Sequence, residues 1–341
     1  PVHGLSGMVS SVLAGARSAP LPPWLLCSTE VRVVLQDGGT VSLDWWSPPD
    51  ATSRVPVALV LPGLGTSSRS LYIRTMLARL QQAGFAPVAL NYRGVGHLEL
   101  TSPRMGLADS WRDLPEVLAA VRAARPGVPV VAVGWSLGSV ILARHLGERG
   151  SESGIAAAVA ISGPLKYQVH GKKLAEQRAL SFLMASWQKV WLLQKVQQFR
   201  KHLPSVSISK ALRQGTLHGL LETICSVSNG FSSTEEYFRI NDPTPLLNRV
   251  ACPFLVLNAL DDPLVGPDLT PYEEIRGNRR IVLAETRYGG HMGWGGASRG
   301  PLFRTSWADS VSAEFLSSAL LGRGGGGVRS PRAPPEGRLA A

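Results

Sequence analysis

Six stretches of the chain are short and apolar on both faces: residues 55–61, 86–90, 128–133, 155–161, 253–257 and 280–283. The first reads Val-Pro-Val-Ala-Leu-Val-Leu and stops at Pro62-Gly63. A strand with one wet face alternates apolar and polar residues; a strand covered on both faces does not. These runs therefore predict a buried parallel sheet. Parallel neighbours need a crossover, and the intervals carry helical spacing. Leu71, Met76, Leu77 and Leu80 share one helical face, as do Leu114, Val117, Leu118 and Val121. The fold class predicted is α/β, a mostly parallel twisted sheet with helices on both faces. At 341 residues, 44% of them hydrophobic, the chain is long enough for one large domain with an insertion.

Ahead of the sheet, residues 31–35 and 40–45 flank Asp37-Gly38-Gly39, which predicts a hairpin. The alternation breaks once. Residues 164–250 hold no clear strand and are rich in Leu, Trp, Lys and Gln, so they are predicted to form a helical lid. The core is expected in two parts, 28–163 and 251–321. Residues 1–27, with Ser, Gly and Pro, are expected to be loosely ordered. Residues 322–341, with four consecutive glycines and then Pro/Arg repeats, are expected to be a disordered tail.

The chemistry is expected at Gly134-Trp135-Ser136-Leu137-Gly138. On its own, Gly-x-Ser-x-Gly is a common pattern in a glycine-rich chain. Here it follows the apolar strand Pro129-Val130-Val131-Ala132-Val133 and precedes a helical stretch, the strand–turn–helix setting of a nucleophile elbow. Small residues at 134 and 138 let strand and helix approach, and the hydroxyl of Ser136 then stands above the sheet. A serine is a weak nucleophile until a base takes its proton, and that base needs a carboxylate to orient it.

The histidines beyond the Ser136 helix are His170, His202, His218 and His291, the first three inside the insertion. His291 lies between glycines in Tyr288-Gly289-Gly290-His291-Met292-Gly293, after a strand, and is the expected base. Asp262, three residues beyond Ala259 and followed by Pro263, is the expected carboxylate, with Asp261 as the alternative. The oxyanion hole of acyl transfer is expected from the backbone N–H of Leu137 and of Leu64, with Gly65 the alternative to Leu64.

His97, in Asn91-Tyr92-Arg93-Gly94-Val95-Gly96-His97, is expected to hold a loop. No dinucleotide fingerprint and no cluster with metal-ligand spacing accompanies these residues, and the chemistry calls for no cofactor and no metal.

The formal net charge is +11. The densest basic run, residues 195–210, sits among Trp191, Leu192, Leu193, Val196 and Phe199, which suits a membrane-facing or lid helix, or a solvated helix face, better than a nucleic-acid groove. Peripheral membrane contact is expected through Trp187, Trp191 and Lys195, and no nucleic-acid partner is expected. The three cysteines have neither zinc nor redox spacing and are expected to be reduced and mostly buried, in an intracellular protein, cytoplasmic or peripherally membrane-associated.

Together these residues resemble a subfamily of the α/β-hydrolases. It includes bacterial YheT-type hydrolases, fungal medium-chain ethyl ester synthase/esterases, plant embryogenesis-associated hydrolases and animal membrane-bound α/β-hydrolase-domain proteins. The resemblance rests on Asp37-Gly38-Gly39 through Trp45, Leu61 to Ser68 with Tyr72, Asn91-Tyr92-Arg93-Gly94, Ser102-Pro103-Arg104 with Asp113-Leu114, Phe231 to Phe238, Leu257 to Pro263 and Gly289 to Gly293. It implies an α/β-hydrolase fold with a catalytic triad on Ser136, Asp262 and His291. It also implies action on short- or medium-chain acyl esters or monoacylglycerol-like lipids; some relatives transfer the acyl group to an alcohol. Carboxylic ester hydrolysis is the expected activity. The alternatives are an acyltransferase and a non-catalytic lipid- or protein-binding scaffold.

Overall fold

The structure, a computed structural model, describes residues 28–294 and 306–324. The chain runs β1 (Thr29–Val34), β2 (Thr40–Trp45), β3 (Val57–Leu61), α1 (Leu71–Gln82), β4 (Ala86–Asn91), α2 (Leu114–Ala124), β5 (Val130–Trp135), α3 (Leu137–Arg149) and β6 (Ala158–Ile161). Six helices follow: α4 (Tyr167–Glu176), α5 (Arg178–Gln194), α6 (Val196–His202), α7 (Ile208–Arg213), α8 (Leu217–Ser228) and α9 (Thr234–Ile240). It closes with β7 (Phe254–Ala259), α10 (Tyr272–Arg276), β8 (Ile281–Thr286) and α11 (Trp307–Gly324).

The eight strands form one sheet in the order β1-β2-β4-β3-β5-β6-β7-β8. β1 and β2 make the hairpin about Asp37-Gly38-Gly39, and β2 meets β4 antiparallel; all later neighbours are parallel. Along β3 the side chains alternate between two cores. Val57, Leu59 and Leu61 join the one beneath α2, α3 and the inserted helices, while Ala58 and Val60 join the one beneath α1 and α11. That double burial is why the strand reads as continuously apolar. α1 buries Ile73, Met76, Leu77 and Leu80 completely, each stabilising the fold by about 1.5–3 kcal/mol.

A buried ion network ties the hairpin to this core. Arg93, beyond β4, reaches Asp113 with Nε and Nη2, both at 2.8 Å, and Asp37 with Nη1 at 2.8 Å. Arg104 adds Asp109 at 3.2 Å, and Asn229 at the end of α8 donates to the same carboxylate at 2.9 Å. Asp109 is so buried that its carboxyl titrates above the usual range despite these partners.

Strand positions agree with expectation, with ends displaced by a few residues. β6 starts at Ala158 rather than 155 because Ala156 serves as a lead-in, donating to Val130 O at 2.7 Å. The expected tail boundary at 322 is too early: α11 continues through Gly324. The expected lead-in at 1–27 and the rest of the tail lie outside the described residues. Cys225 and Cys252 are buried and in no disulfide, and burial pushes the Cys225 thiol up. Cys27 lies outside the described residues.

The membrane expectation needs correction at two of its three residues. Trp187 is exposed, but Trp191 is half-buried with its ring edge-on to Phe199. Lys195 is buried and donates from Nζ to Leu98 O at 2.7 Å. Both face the interior side of their helical turn, a choice that tertiary packing makes. Among the described residues, no helix is long and apolar enough to cross a membrane.

Candidate active site

β5 delivers Ser136 to a tight turn, at φ 51° and ψ −113°. A non-glycine residue pays about 1–3 kcal/mol for such a conformation and keeps it only where its surroundings enforce it. Here the N–H of Ser136 donates to Ile161 O at 2.8 Å, and its own carbonyl accepts from Ser139 N–H at 3.0 Å. The two glycines are there for contact. A Cβ at Gly134 would press into the backbone of Gly138, and a Cβ at Gly138 into the carbonyl of Leu61. Gly138→Val is expected to abolish soluble folded protein, or leave it with a much lowered melting temperature by circular dichroism, because backbone atoms cannot yield. A variant that melts like the parent would show that the elbow tolerates a side chain.

His291 sits where its Nε2 is 3.0 Å from Ser136 Oγ and its Nδ1 is 2.9 Å from Asp262 Oδ2. The other oxygen of Asp262 accepts the N–H groups of Leu264 and Val265 at 2.8 and 2.9 Å, so the carboxylate cannot rotate away. Asp261, the sequence alternative, does something else. Its Oδ1 accepts from Gly289 N–H at 2.9 Å and Gly290 N–H at 2.7 Å, and so holds the loop that carries His291. Adjacent aspartates thus divide the work, one gripping the imidazole and one its loop.

Two serines escaped the sequence reading. Ser162 Oγ accepts from Met292 N–H at 3.2 Å, and Ser139 Oγ accepts from Ile161 N–H at 3.0 Å. No local pattern marks them, since their partners are 130 and 22 residues away.

The loop after β3 is shaped by Tyr72. Its hydroxyl accepts from Gly63 N–H at 2.9 Å and lies 2.5 Å from Thr66 Oγ1. Thr66 spends its own N–H and its hydroxyl on Gly63 O, at 3.2 and 2.9 Å. The N–H groups of Leu64 and Gly65 are the remaining donors of that loop, and Gly65 takes φ +66°. Leu137 is the first residue of α3, where backbone N–H groups have no intrahelical acceptor.

Leu64, Ser136 and Leu137 line a cavity of about 40 Å³, roofed by side chains of the inserted helices including Tyr167, His170 and Met184. That is room for only a few water molecules. Of the other histidines, His97 pairs with Glu30 at 2.6 Å and His218 faces Glu235 at 3.8 Å. Glu30, His97 and Asp44 could together reach a cation, but they lie at the β1–β2 edge, and Asp44 already binds the Ser42 and Ser68 hydroxyls.

Burial lowers the pKa of His145 and pushes that of His170 down to about 3. Both groups are therefore protonated more readily in the unfolded chain, near pH 6.5. Their contribution to stability is complete above that pH and declines as pH falls from about 6.5 towards the folded values. Thermal melts between pH 7.5 and 5 should show this loss, and His170→Phe should flatten it; a limb of unchanged slope in the variant would count against it.

The comparisons with known proteins bear on the family and the fold. The family model for the alpha/beta hydrolase family matches residues 58–325. A human phospholipase, ABHD3, is 29% identical over 265 residues, covering 76% of this chain and 64% of its own length. A zebrafish (Danio rerio) monoacylglycerol lipase, ABHD2, is 26% identical over 333 residues, covering 92% and 78%. The medium-chain fatty acid ethyl ester synthase/esterase 2 of Saccharomyces cerevisiae is 27% identical over 286 residues, covering 77% and 62%. The chain thus spans less than two thirds of the length of the human phospholipase and the yeast protein. An esterase from Pyrococcus furiosus superposes with a TM-score of 0.56 at 17% identity, covering 87% of this chain and 94% of that one, a likeness of fold. With its sheet order, its elbow and a family match across most of its length, the chain belongs to the alpha/beta hydrolase family.

Proposed function

We propose that this protein hydrolyses carboxylic esters, short- or medium-chain acyl esters or monoacylglycerol-like lipids, through Ser136, His291 and Asp262. The observation that carries the reading is the continuous chain from Ser136 Oγ through both imidazole nitrogens to Asp262 Oδ2. His291 Nε2 takes the hydroxyl proton as Oγ attacks the ester carbonyl. Asp262 keeps the other ring proton on Nδ1 and stabilises the imidazolium. The N–H of Leu137, with that of Leu64 or Gly65, receives the developing oxyanion. Collapse of the tetrahedral adduct breaks the ester C–O bond, and His291 returns the proton to the departing alcohol. Water, deprotonated by His291, then releases the acid and restores Ser136.

A fluorophosphonate probe tests the assignment directly. One adduct per chain on the peptide containing Ser136, absent from Ser136→Ala, is expected. An adduct elsewhere, or none, would overturn it.

The closed cavity requires the inserted helices to move for an acyl chain to enter. The outer face of α5 suggests where that occurs: Phe182, Leu183, Trp187, Val190 and Leu193 are all exposed, while Met184 on the opposite face lines the cavity. Residues 166–213 hold ten Lys and Arg, of which Lys195 is buried, against one acidic residue, Glu176. An apolar face in a basic surround complements an anionic lipid surface. The protein is expected to float with phosphatidylserine-containing liposomes, and Leu183→Asp with Trp187→Ala should sediment free. Equal flotation of parent and variant would refute this face; a salt-stable dimer without lipid would assign it to a second copy.

A further inference from the structure

His170 belongs to none of the chemistry above, yet it is one of the residues lining the cavity at Ser136. The side chain is buried, and its Nδ1 has no hydrogen-bond partner among the described residues. Burying an unpaired polar nitrogen costs about 1–3 kcal/mol, so such groups are uncommon unless something visits them. The ring lies near-parallel to that of Tyr167, with centroids 6.1 Å apart and planes 27° apart. Held neutral by burial, it offers one N–H donor and one lone-pair acceptor at physiological pH.

Its position in the site follows from how α4 is anchored. Lys166 N–H donates to Leu269 O at 3.1 Å, and Lys173 pairs with Asp268, both partners lying in the segment that follows Asp262. The imidazole of His170 accordingly feels the charges of His291 and Asp262. Within the cavity His170 shares the lining with Ser136, Leu64 and Leu137.

We propose that His170 is a subsite for the alcohol portion of the substrate, binding a free hydroxyl of a polyol ester such as a glyceryl monoester. The proposal rests on the reading of Ser136 as nucleophile. A site with an unpaired polar atom penalises a ligand that cannot satisfy it, which is how buried polar groups discriminate. Glyceryl esters keep free hydroxyls beside the scissile bond, whereas simple alkyl esters present only carbon there. Nearby, Tyr167 and Tyr237 hydroxyls lie 3.0 Å apart, and Tyr237 also accepts from Ala108 N–H, so they are already engaged with protein partners.

The test compares a 1-monoacylglycerol with the ethyl ester of the same acid, on the parent, His170→Phe and His170→Gln. The ratio of kcat/KM for glyceryl over ethyl ester is expected to fall at least tenfold in His170→Phe, mainly through KM, and to recover in part in His170→Gln, which restores a donor and an acceptor. A ratio within twofold of the parent in both variants would overturn the subsite, since a structural role would depress both esters together. If His170→Phe does not fold, His170→Leu, which likewise lacks both donor and acceptor, takes its place: a ratio within twofold of the parent overturns the subsite, and a fall of about tenfold supports it. Fluorophosphonate labelling runs alongside. A parent that is not labelled at Ser136 sinks the nucleophile reading and this one with it; a labelled parent with an unmoved ratio sinks this one alone.

Discussion

Ser136→Ala should lower hydrolysis of a p-nitrophenyl acyl series by about 10⁴ to 10⁶-fold. The loss is large because the hydroxyl is the atom that bonds to the substrate. No neighbour can replace it: Ser139 Oγ is committed to Ile161 N–H at 3.0 Å and to Gly134 O at 2.7 Å. Asp262→Asn should cost about 10⁴-fold, since an amide in that position favours the imidazole tautomer whose Nε2 cannot take the proton. Asp261→Asn should cost less than Asp262→Asn, because an amide oxygen can still accept from Gly289 and Gly290. The order Ser136, Asp262, Asp261 in the kinetics is the signature expected of the geometry. Equal and slow rates in the parent and Ser136→Ala, on every chain length, would remove the esterase reading and leave a binding scaffold.

Arg93→Met is expected to destabilise the fold by about 3–5 kcal/mol, the typical result of removing one partner of a buried ion pair. Arg93 and Asp113 have side chains only 3% and 6% exposed, so the variant strands a carboxylate in the core without its bidentate partner. Asp37 loses its contact with Arg93 as well and keeps only the longer one to Arg104 at 3.3 Å, which weakens the pin on the β1–β2 hairpin. A whole domain is stable by only about 5–15 kcal/mol, so this single change removes a large share. The exposed pair Arg239–Glu236 is the control: Arg239→Ala should shift stability by less than about 1 kcal/mol. Urea unfolding of both variants decides the matter, and similar midpoints would mean that the Arg93 network contributes little.

Much of the architecture was legible because it is written locally. Continuous apolar runs and 3.6-residue spacing depend on which faces of an element are covered, and β3, β5 and β7 are covered on both. The Ser136 turn was legible too, since strand, turn glycines and helix are contiguous. Element ends were less so: nothing local says that the chain enters β6 only at Ala158, or that α11 runs on to Gly324.

The site divides in the same way. Sequence alone determined a doubly covered parallel sheet, an elbow bearing Ser136, and an ordered set of candidates ending in Asp262 and His291, because residue type and chain order carry that information. Which of two adjacent aspartates meets the imidazole is decided by a turn geometry in which Asp262 faces His291 and Asp261 faces the glycine N–H groups. Likewise, a helical pattern places Trp187, Trp191 and Lys195 on α5 and at its end, but only the packing of α5 against Phe199 and Leu98 selects Trp187 as the exposed one. His170 looked like one more histidine of the insertion, and only folding put it beside Ser136 with an unpaired nitrogen. Periodicity reports whether a face is buried; what it is buried against is a long-range property, set by contacts between residues far apart in the chain.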